Sequence, residues 1–241
     1  MAPVGWVNSH IIERVKSSFR RDCIELLEWA CRKLKSEKKI DVDWAEENIT
    51  ANIYTYIHNS KKAIKKSIFI ECEHSLFTED ILNNRKKAKA ANRLDMVLQH
   101  DWKGRRFAFN VEAKNLIEHN AAKKNRSSEV KANSVLCRYI KTGIDHFLKA
   151  HYPQGCLLGY VLNGTTAGVV GKLNILMSKD KRGTEQLEYV SRKGLWTCYI
   201  STHETDTIQL QHFLFDFCNK GRIDFHEKTI EFLLSWVSCQ F

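Results

Sequence analysis

The chain has 241 residues, 43% hydrophobic and 27% charged, with 2 prolines, which gives one large domain with a sizeable core and excludes a disordered or collagen-like chain. Lys and Arg total 38 against 28 Asp and Glu, a formal net charge of +10, so nucleic acid is the first partner to expect. No apolar run nears the ~18–20 residues of a membrane span, and Met1 to Trp6 lacks the basic-then-apolar pattern of a secretion signal, so the expected location is the cytoplasm, with no membrane partner.

Residues Ser9 to Glu37 carry Ile11, Ile12, Val15, Phe19, Cys23, Leu26, Leu27, Ala30 and Leu34 at helical spacing. They read as one or two amphipathic helices, with Ser9 as a cap and Arg14, Lys16, Arg20, Arg21, Arg32 and Lys33 on the polar face. Ile40-Asp41-Val42-Asp43 breaks the pattern, and a second helix runs from Trp44 to Asn59 on an Ile49, Ile53, Ile57 stripe. Ser67 to Glu73 is rich in β-formers, whereas Phe77 to Asn92 reads as a basic helix or loop containing Arg85-Lys86-Lys87-Ala88-Lys89. Strands follow at Arg93 to Gln99 and Arg106 to Lys114, then a long helix over Ser127 to His151. Gly155 to Asn163 is apolar enough for a central strand buried on both faces. The remainder gives a helix at Thr165 to Ser178, strands at Leu195 to Thr202 and Ile208 to Phe217, and a closing helix at Lys228 to Cys239. The plan is α/β, a mixed sheet covered by helices on both faces. It divides into an N-terminal helical segment (1–43), a core (44–163) and a C-terminal α/β extension of the same domain (164–241). The eight cysteines form no CxxC pair and mostly have apolar neighbours, which fits buried, reduced thiols better than disulfides or zinc.

The group that carries chemistry is Glu112-Ala113-Lys114. The E-x-K spacing also occurs at Glu37–Lys39 and Glu129–Lys131, and D-x-K at Asp101–Lys103, but in helical or turn-like stretches. Only Glu112–Lys114 ends a β-like run, Phe107-Ala108-Phe109-Asn110-Val111, whose period puts Glu112 and Lys114 on one face. A hairpin centred on Lys103-Gly104 sets Asp95 directly opposite Glu112. Two facing carboxylates repel unless a cation lies between them. Oxygen donors of this kind suit a hard ion, Mg²⁺ or Mn²⁺.

Paired carboxylates and a lysine at the end of a hairpin, on a basic chain, form a phosphodiester-hydrolysis layout. Here the sequence resembles the PD-(D/E)xK nuclease superfamily, the restriction-endonuclease-like fold, in which an Asp on one strand precedes a (D/E)-x-K on the next. No Pro precedes Asp95, since Arg93-Leu94 stand there. The resemblance covers Trp44 to Asn163 and implies an αβββαβ core, with the helix Arg138 to Ile144 and the strand Gly155 to Asn163 closing it. It implies that Asp95 and Glu112 ligate one or two Mg²⁺ ions, with the Ala113 carbonyl as a further ligand. Lys114 then orients or helps deprotonate the attacking water. A Glu early in the preceding helix joins the metal site, and Glu46, on the same stripe as Ile49 and Ile53, is favoured over Glu47. Free-standing enzymes of this kind serve bacterial defence or genome maintenance.

Basic clusters at Lys61-Lys62 with Lys65-Lys66, Arg85 to Lys89, Lys103 with Arg105-Arg106, and Lys123-Lys124 with Arg126 together suggest a phosphate-tracking rim. Its candidate contacts are Lys86, Lys87, Arg93, Lys103, Arg105 and Lys141, with Arg93 alternatively pairing Asp95. Trp102 either stacks on a base or folds back on the sheet, and Tyr139 either faces the scissile strand or packs. His74 and His100 have no catalytic role in this reading. The expected function is therefore a Mg²⁺-dependent endonuclease acting on DNA, with RNA as the other substrate. A homodimer would be needed for one site per strand to cut a duplex. The competing reading is a nucleic-acid-binding module of the same fold without hydrolysis.

Overall fold

The computed structural model describes residues 9–76, 83, 92–124, 128–149, 155–203 and 208–218. Lys86, Lys87, most of the basic stretch before Asn92, Arg126 and the expected helix at Lys228 to Cys239 lie outside the described residues.

Helix α1 (Ser9–Glu37) is continuous and buries Phe19, Cys23, Leu26, Leu27, Ala30, Cys31 and Leu34, one stripe at i, i+4 and i+7 spacing. Helix α2 (Glu46–His58) buries Ile49, Ile53 and Ile57. It starts where Ala45 is extended, and no side chain caps it. Short α3 (Lys61–Lys65) is capped by Ser60, whose side chain accepts from the Lys62 and Ala63 amides. Then come β1 (Ile68–Leu76), β2 (Asn92–Trp102) and β3 (Arg105–Ile117).

The β2–β3 turn has Lys103 at φ 48° and Gly104 at φ 76°, the left-handed pair that a two-residue hairpin needs. The register runs from Trp102↔Arg105 to Met96↔Val111, as the sequence expectation requires. The expected helix at Ser127 to His151 differs. It begins at Ala132, because Val130 is drawn into a bridge with Ala121 and Lys131 is extended. It then runs as α4 (Ala132–Arg138), a wider π-helical turn (Tyr139–Ile144) and α5 (Asp145–Lys149). Strand β4 (Gly155–Asn163) is buried along its middle, as expected of a central strand, and α6 (Thr166–Lys179) follows. Strand β5 (Glu188–Lys193) was not expected, because as a largely exposed edge it carries almost no apolar signal. Strands β6 (Trp196–His203) and β7 (Ile208–Asp216) complete a seven-stranded sheet of order β1-β2-β3-β4-β7-β6-β5.

Pairings β3–β4 and β4–β7 are parallel and the others antiparallel, so the sheet is mixed. One face packs Phe107, Phe109, Val111, Ala113, Leu158 and Tyr160 against α1 and α2. The other packs Leu116, Leu157 and Val161 beneath Leu136, Tyr139, Ile140, Ile144 and Val169. Among the described residues, no helix is long and apolar enough to cross a membrane. Cys23, Cys31, Cys156 and Cys198 are buried in this interior, while Cys72 and Cys218 are exposed.

Candidate active site

The site forms where β2 parts from β3. Backbone pairing ends at Met96↔Val111, while β3 continues alongside β4 with Glu112↔Leu157 and Lys114↔Gly159. On its other side, β2 pairs with β1 at Cys72↔Met96 and His74↔Leu94, skipping Glu73 and Asp95. Glu73 sits at φ 52°, an uncommon conformation for a residue with a Cβ. Leu94 and Met96 bury on opposite faces, so strand alternation breaks at Asp95. This irregularity re-aims the Asp95 side chain, as bulges beside functional sites do. Its Oδ2 accepts a hydrogen bond from the Ala113 amide at 2.6 Å, taking the place of a ladder partner.

Glu112 and Lys114 project from the same face of β3, as the period predicts. Lys114 Nζ donates to Glu112 Oε1 at 2.7 Å, to the Ala113 carbonyl at 2.7 Å and to Glu46 Oε1 at 3.3 Å, and it stands 3.6 Å from Asp95 Oδ2. Glu46 reaches the site from the first turn of α2, where its Oε2 accepts from the Asn115 amide at 2.9 Å. The Asn115 side chain in turn donates to the Trp44 carbonyl at 3.0 Å, tying the start of α2 to the end of β3. Glu47 is exposed and takes no part.

Burial sets the electrostatics. The Lys114 and Glu112 side chains are 9% and 6% exposed, whereas Asp95 keeps 30% and forms the open side. Desolvation raises the Glu112 pKa to about 7, and the charges of Asp95 and Glu46 push the same way against the opposing pull of Lys114. For Lys114, burial works against the charge, but Asp95, Glu112 and Glu46 outweigh it and hold the pKa above the usual lysine value. The ammonium stays charged, and the carboxylates around it compete for one cation. Glu112 Oε2 is buried with no hydrogen-bond partner. Among the described residues, no group of three or more His, Cys, Asp and Glu side chains is arranged to hold a metal ion as it stands. Here the lysine ammonium occupies the middle of the carboxylates.

Other expected contacts fall elsewhere. Lys103 and Arg105 are exposed at the hairpin tip, eight residues from Asp95 and seven residues along β3 from Glu112 respectively, or roughly 23–26 Å at ~3.3 Å per residue. Strand length alone therefore keeps them out of the carboxylate cluster. Trp102 folds back against the core, with Lys103 Nζ 5.3 Å from its ring centroid. Arg93 lies 3.9 Å from Glu73, not against Asp95. Lys124 is 3.5 Å and 3.4 Å from Asp41 and Asp43, and Lys66 pairs with Asp22. Lys141 is exposed on the π-helical turn. Tyr139 is fully buried, which is the packing role. His100 stacks against both Phe19 and Phe107, and its Nδ1 lies 3.0 Å from the Ser67 carbonyl.

Sequence reasoning missed Arg138. Its guanidinium is 3.4 Å from Glu46 Oε2 while its side chain stays 62% exposed, so one nitrogen is tethered at the site and the rest faces outward. A basic residue at the end of a short helix carries no signal of its own, and only the tertiary fold aims it. The Gly143 backbone lies against Lys114: a Cβ there would come within 3.7 Å of Lys114 Cγ and 2.9 Å of Leu157 Cδ2.

Comparison of the chain with protein-family models, with curated proteins and with solved structures gives no match.

Proposed function

We propose that this chain is a nuclease of the PD-(D/E)xK, restriction-endonuclease-like type, hydrolysing phosphodiester bonds in DNA with Mg²⁺ or Mn²⁺. The observation that carries the reading is the convergence of Asp95, Glu112 and Glu46 on the buried Lys114, at the point where two strands of a hairpin separate. The reading is supported by the order α2, α3, β1, β2, β3, α4, π-helical turn, α5, β4, which contains the succession of helix, three strands, helix and strand that the resemblance implies.

The residues fit a hard divalent cation. All the donors are oxygens, Glu112 Oε2 is a buried lone-pair donor without a partner, and a carboxylate cluster this short of cations gains from a second positive charge. Asp95 and Glu112, with Glu46 and the Ala113 carbonyl, would hold the ion. When bound, it supplies a lowered pKa for the attacking water and neutralises charge at phosphorus.

The chain's own side chains do the rest. Lys114, held charged, presents a proton donor to the water or to the charge that develops on the phosphoryl oxygens. Glu112, whose carboxyl burial raises to about 7, is held by the Lys114 ammonium through Oε1 and keeps the unpartnered Oε2 for the ion. Asp95, the most open of the three acids, faces the approaching phosphate, and Arg138 offers its exposed guanidinium to a neighbouring phosphate oxygen.

The test is incubation with supercoiled plasmid, single-stranded DNA and RNA, with and without Mg²⁺ or Mn²⁺. The expected result is metal-dependent nicking of DNA that disappears in Asp95→Ala while DNA binding persists. Retained binding with no cleavage of any substrate in either metal would make the chain a binding module instead.

A further inference from the structure

Away from the carboxylates, a buried chain of polar side chains crosses the sheet's helical face. The Tyr139 hydroxyl meets His212 Nδ1 at 2.8 Å, and His212 Nε2 meets Ser201 Oγ at 2.7 Å. Ser201 Oγ also meets His203 Nε2 at 2.9 Å, and His203 Nδ1 meets Glu185 Oε2 at 2.6 Å. Glu185 is gripped by Arg182, whose Nη1 donates to Asp145 at 2.7 Å. Ser201, His203 and Glu185 stand in the order of a hydrolase triad. However, Ser201 and His203 are 1% and 2% exposed, and both imidazoles already hold the serine oxygen, so no substrate reaches it.

The two ends of this chain matter. Tyr139 is the first residue of the π-helical turn, and Asp145 immediately follows its last, Ile144. The network therefore ties both ends of the wide turn to β6, β7 and the 3₁₀ turn Gly183–Glu185. Single π turns strain a helix and recur at functional sites. Gly143 inside this one lies against Lys114, and Arg138 just before it reaches Glu46.

We infer that the Tyr139–His212–Ser201–His203–Glu185–Arg182–Asp145 relay is a clamp that positions the π-helical turn over Lys114, which makes His212, Ser201 and His203 positioning residues for the reaction. The catalytic consequence rests on the nuclease reading, but the clamp itself does not.

Proton counting sharpens the inference. Glu185, an acceptor, requires His203 Nδ1–H, so His203 Nε2 accepts from Ser201, Ser201 accepts from His212 Nε2–H, and His212 Nδ1 accepts from Tyr139. Four links thus use four protons, one each from Tyr139, His212, Ser201 and His203. Protonating either imidazole adds a fifth, and one donor is left unpaired in a dry interior. Burial accordingly lowers the pKa of His212 to about 3, and burial lowers that of His203 despite the favourable Glu185. Arg182 and Asp145 are the other charges facing His203, and they partly offset one another. The clamp is thus closed at neutral pH and loosens as His203 takes a proton, on the acid side of about 6.5.

The experiment is backbone hydrogen exchange on the full chain, read at residues 139–145, beside steady-state nicking kinetics with Mg²⁺. Ser201→Ala should speed exchange there by at least about tenfold and lower kcat by a similar factor with KM within about twofold. Ser201→Thr, which restores the hydroxyl, should recover both. His203→Gln keeps both hydrogen bonds and cannot take the extra proton, so it should abolish the acid-side loss of protection, corrected for intrinsic exchange rates, that is expected of the unaltered chain. Asp145→Asn, at the accessible end, provides the same measurement should Ser201→Ala not fold. Unchanged exchange at 139–145 in a cooperatively melting variant overturns the clamp. A loosened turn with unchanged kcat overturns its positioning role. Absence of cleavage by the unaltered chain is a failure of the nuclease reading, and leaves the exchange result to decide the clamp.

Discussion

Glu112→Gln should make the protein more stable, and increasingly so as pH rises. Burial carries the Glu112 carboxyl from an ordinary 4.5 to about 7, even with Lys114 alongside. At about 1.4 kcal/mol per tenfold change, the ionised form is disfavoured in the folded chain by about 3 kcal/mol. Because the folded value is raised, the folded protein holds a proton that the unfolded chain has released between pH 4.5 and 7. The stability this gives is present below the unfolded value and is lost as pH climbs through about 7. Glutamine mimics the protonated form and has no proton to lose, and its amide oxygen still accepts from Lys114. The gap between variant and unaltered chain should therefore be near zero at pH 4.5 and reach about 3 kcal/mol by pH 8. For a chain of this size that is a difference in Tm of about 6–12 °C. Thermal melts at several pH values measure it directly, since groups common to both chains cancel. Saturating Mg²⁺ at pH 8 should then close most of the gap, because a ligand at a hundred times its Kd stabilises by about 2.7 kcal/mol. A variant that melts below the unaltered chain at pH 8, or a gap that does not grow with pH, would refute the desolvation argument.

Lys114→Ala leaves Asp95, Glu112 and Glu46 gathered without their cation, so it should cost about 3–5 kcal/mol at pH 8 and recover much of that towards pH 4.5, seen in the same melts. Gly143→Val places bulk where a Cβ already meets Leu157 at 2.9 Å; denaturant titration should show a loss of about 1–3 kcal/mol, and plasmid nicking a reduced kcat. Arg138→Ala should raise KM for DNA with a smaller change in kcat, whereas Lys103→Glu combined with Arg105→Glu, at the far end of the hairpin, should leave kcat as it is in the same nicking assay.

Much of this arrangement was legible in the sequence, for physical reasons that differ by residue. The β2–β3 register followed from one turn, because Lys103-Gly104 fixes the pairing of everything before and after it. Carried one step further, that register would set Asp95 opposite Glu112 and Lys114 beside it; the ladder instead ends at Met96↔Val111, and Asp95 accepts from the Ala113 amide. Glu46 was expected from the resemblance, which calls for a Glu early in the preceding helix, and helical period only favoured it over Glu47, since a residue three before Ile49 shares its face. The break in β2 was not legible: nothing in Arg93-Leu94-Asp95-Met96 signals that alternation fails there, and it faces the positive φ of Glu73 across the ladder. The π-helical turn was hidden for the same reason. Ser127 to His151 has helical periodicity throughout, and the extra residue in one turn is set by what Tyr139 and Asp145 bind at their ends.

Those end contacts assign work to the C-terminal strands, whose sequence suggested a sheet extension or a partner surface. His212 and Ser201 lie on β7 and β6 at positions that alternation marks as inward, where polar side chains are costly unless every donor finds an acceptor. A core made only for stability would place apolar residues there, since replacing a fully paired polar group by a well-packed apolar one is close to neutral. A directional chain of hydrogen bonds specifies one geometry at each link, which apolar packing does not. The parallel pairing of β7 with β4, the strand next to β3, brings that specification within one helix width of Lys114. The late strands and the carboxylate cluster are therefore parts of one mechanical unit: the strands hold the turn, and the turn lies against the lysine.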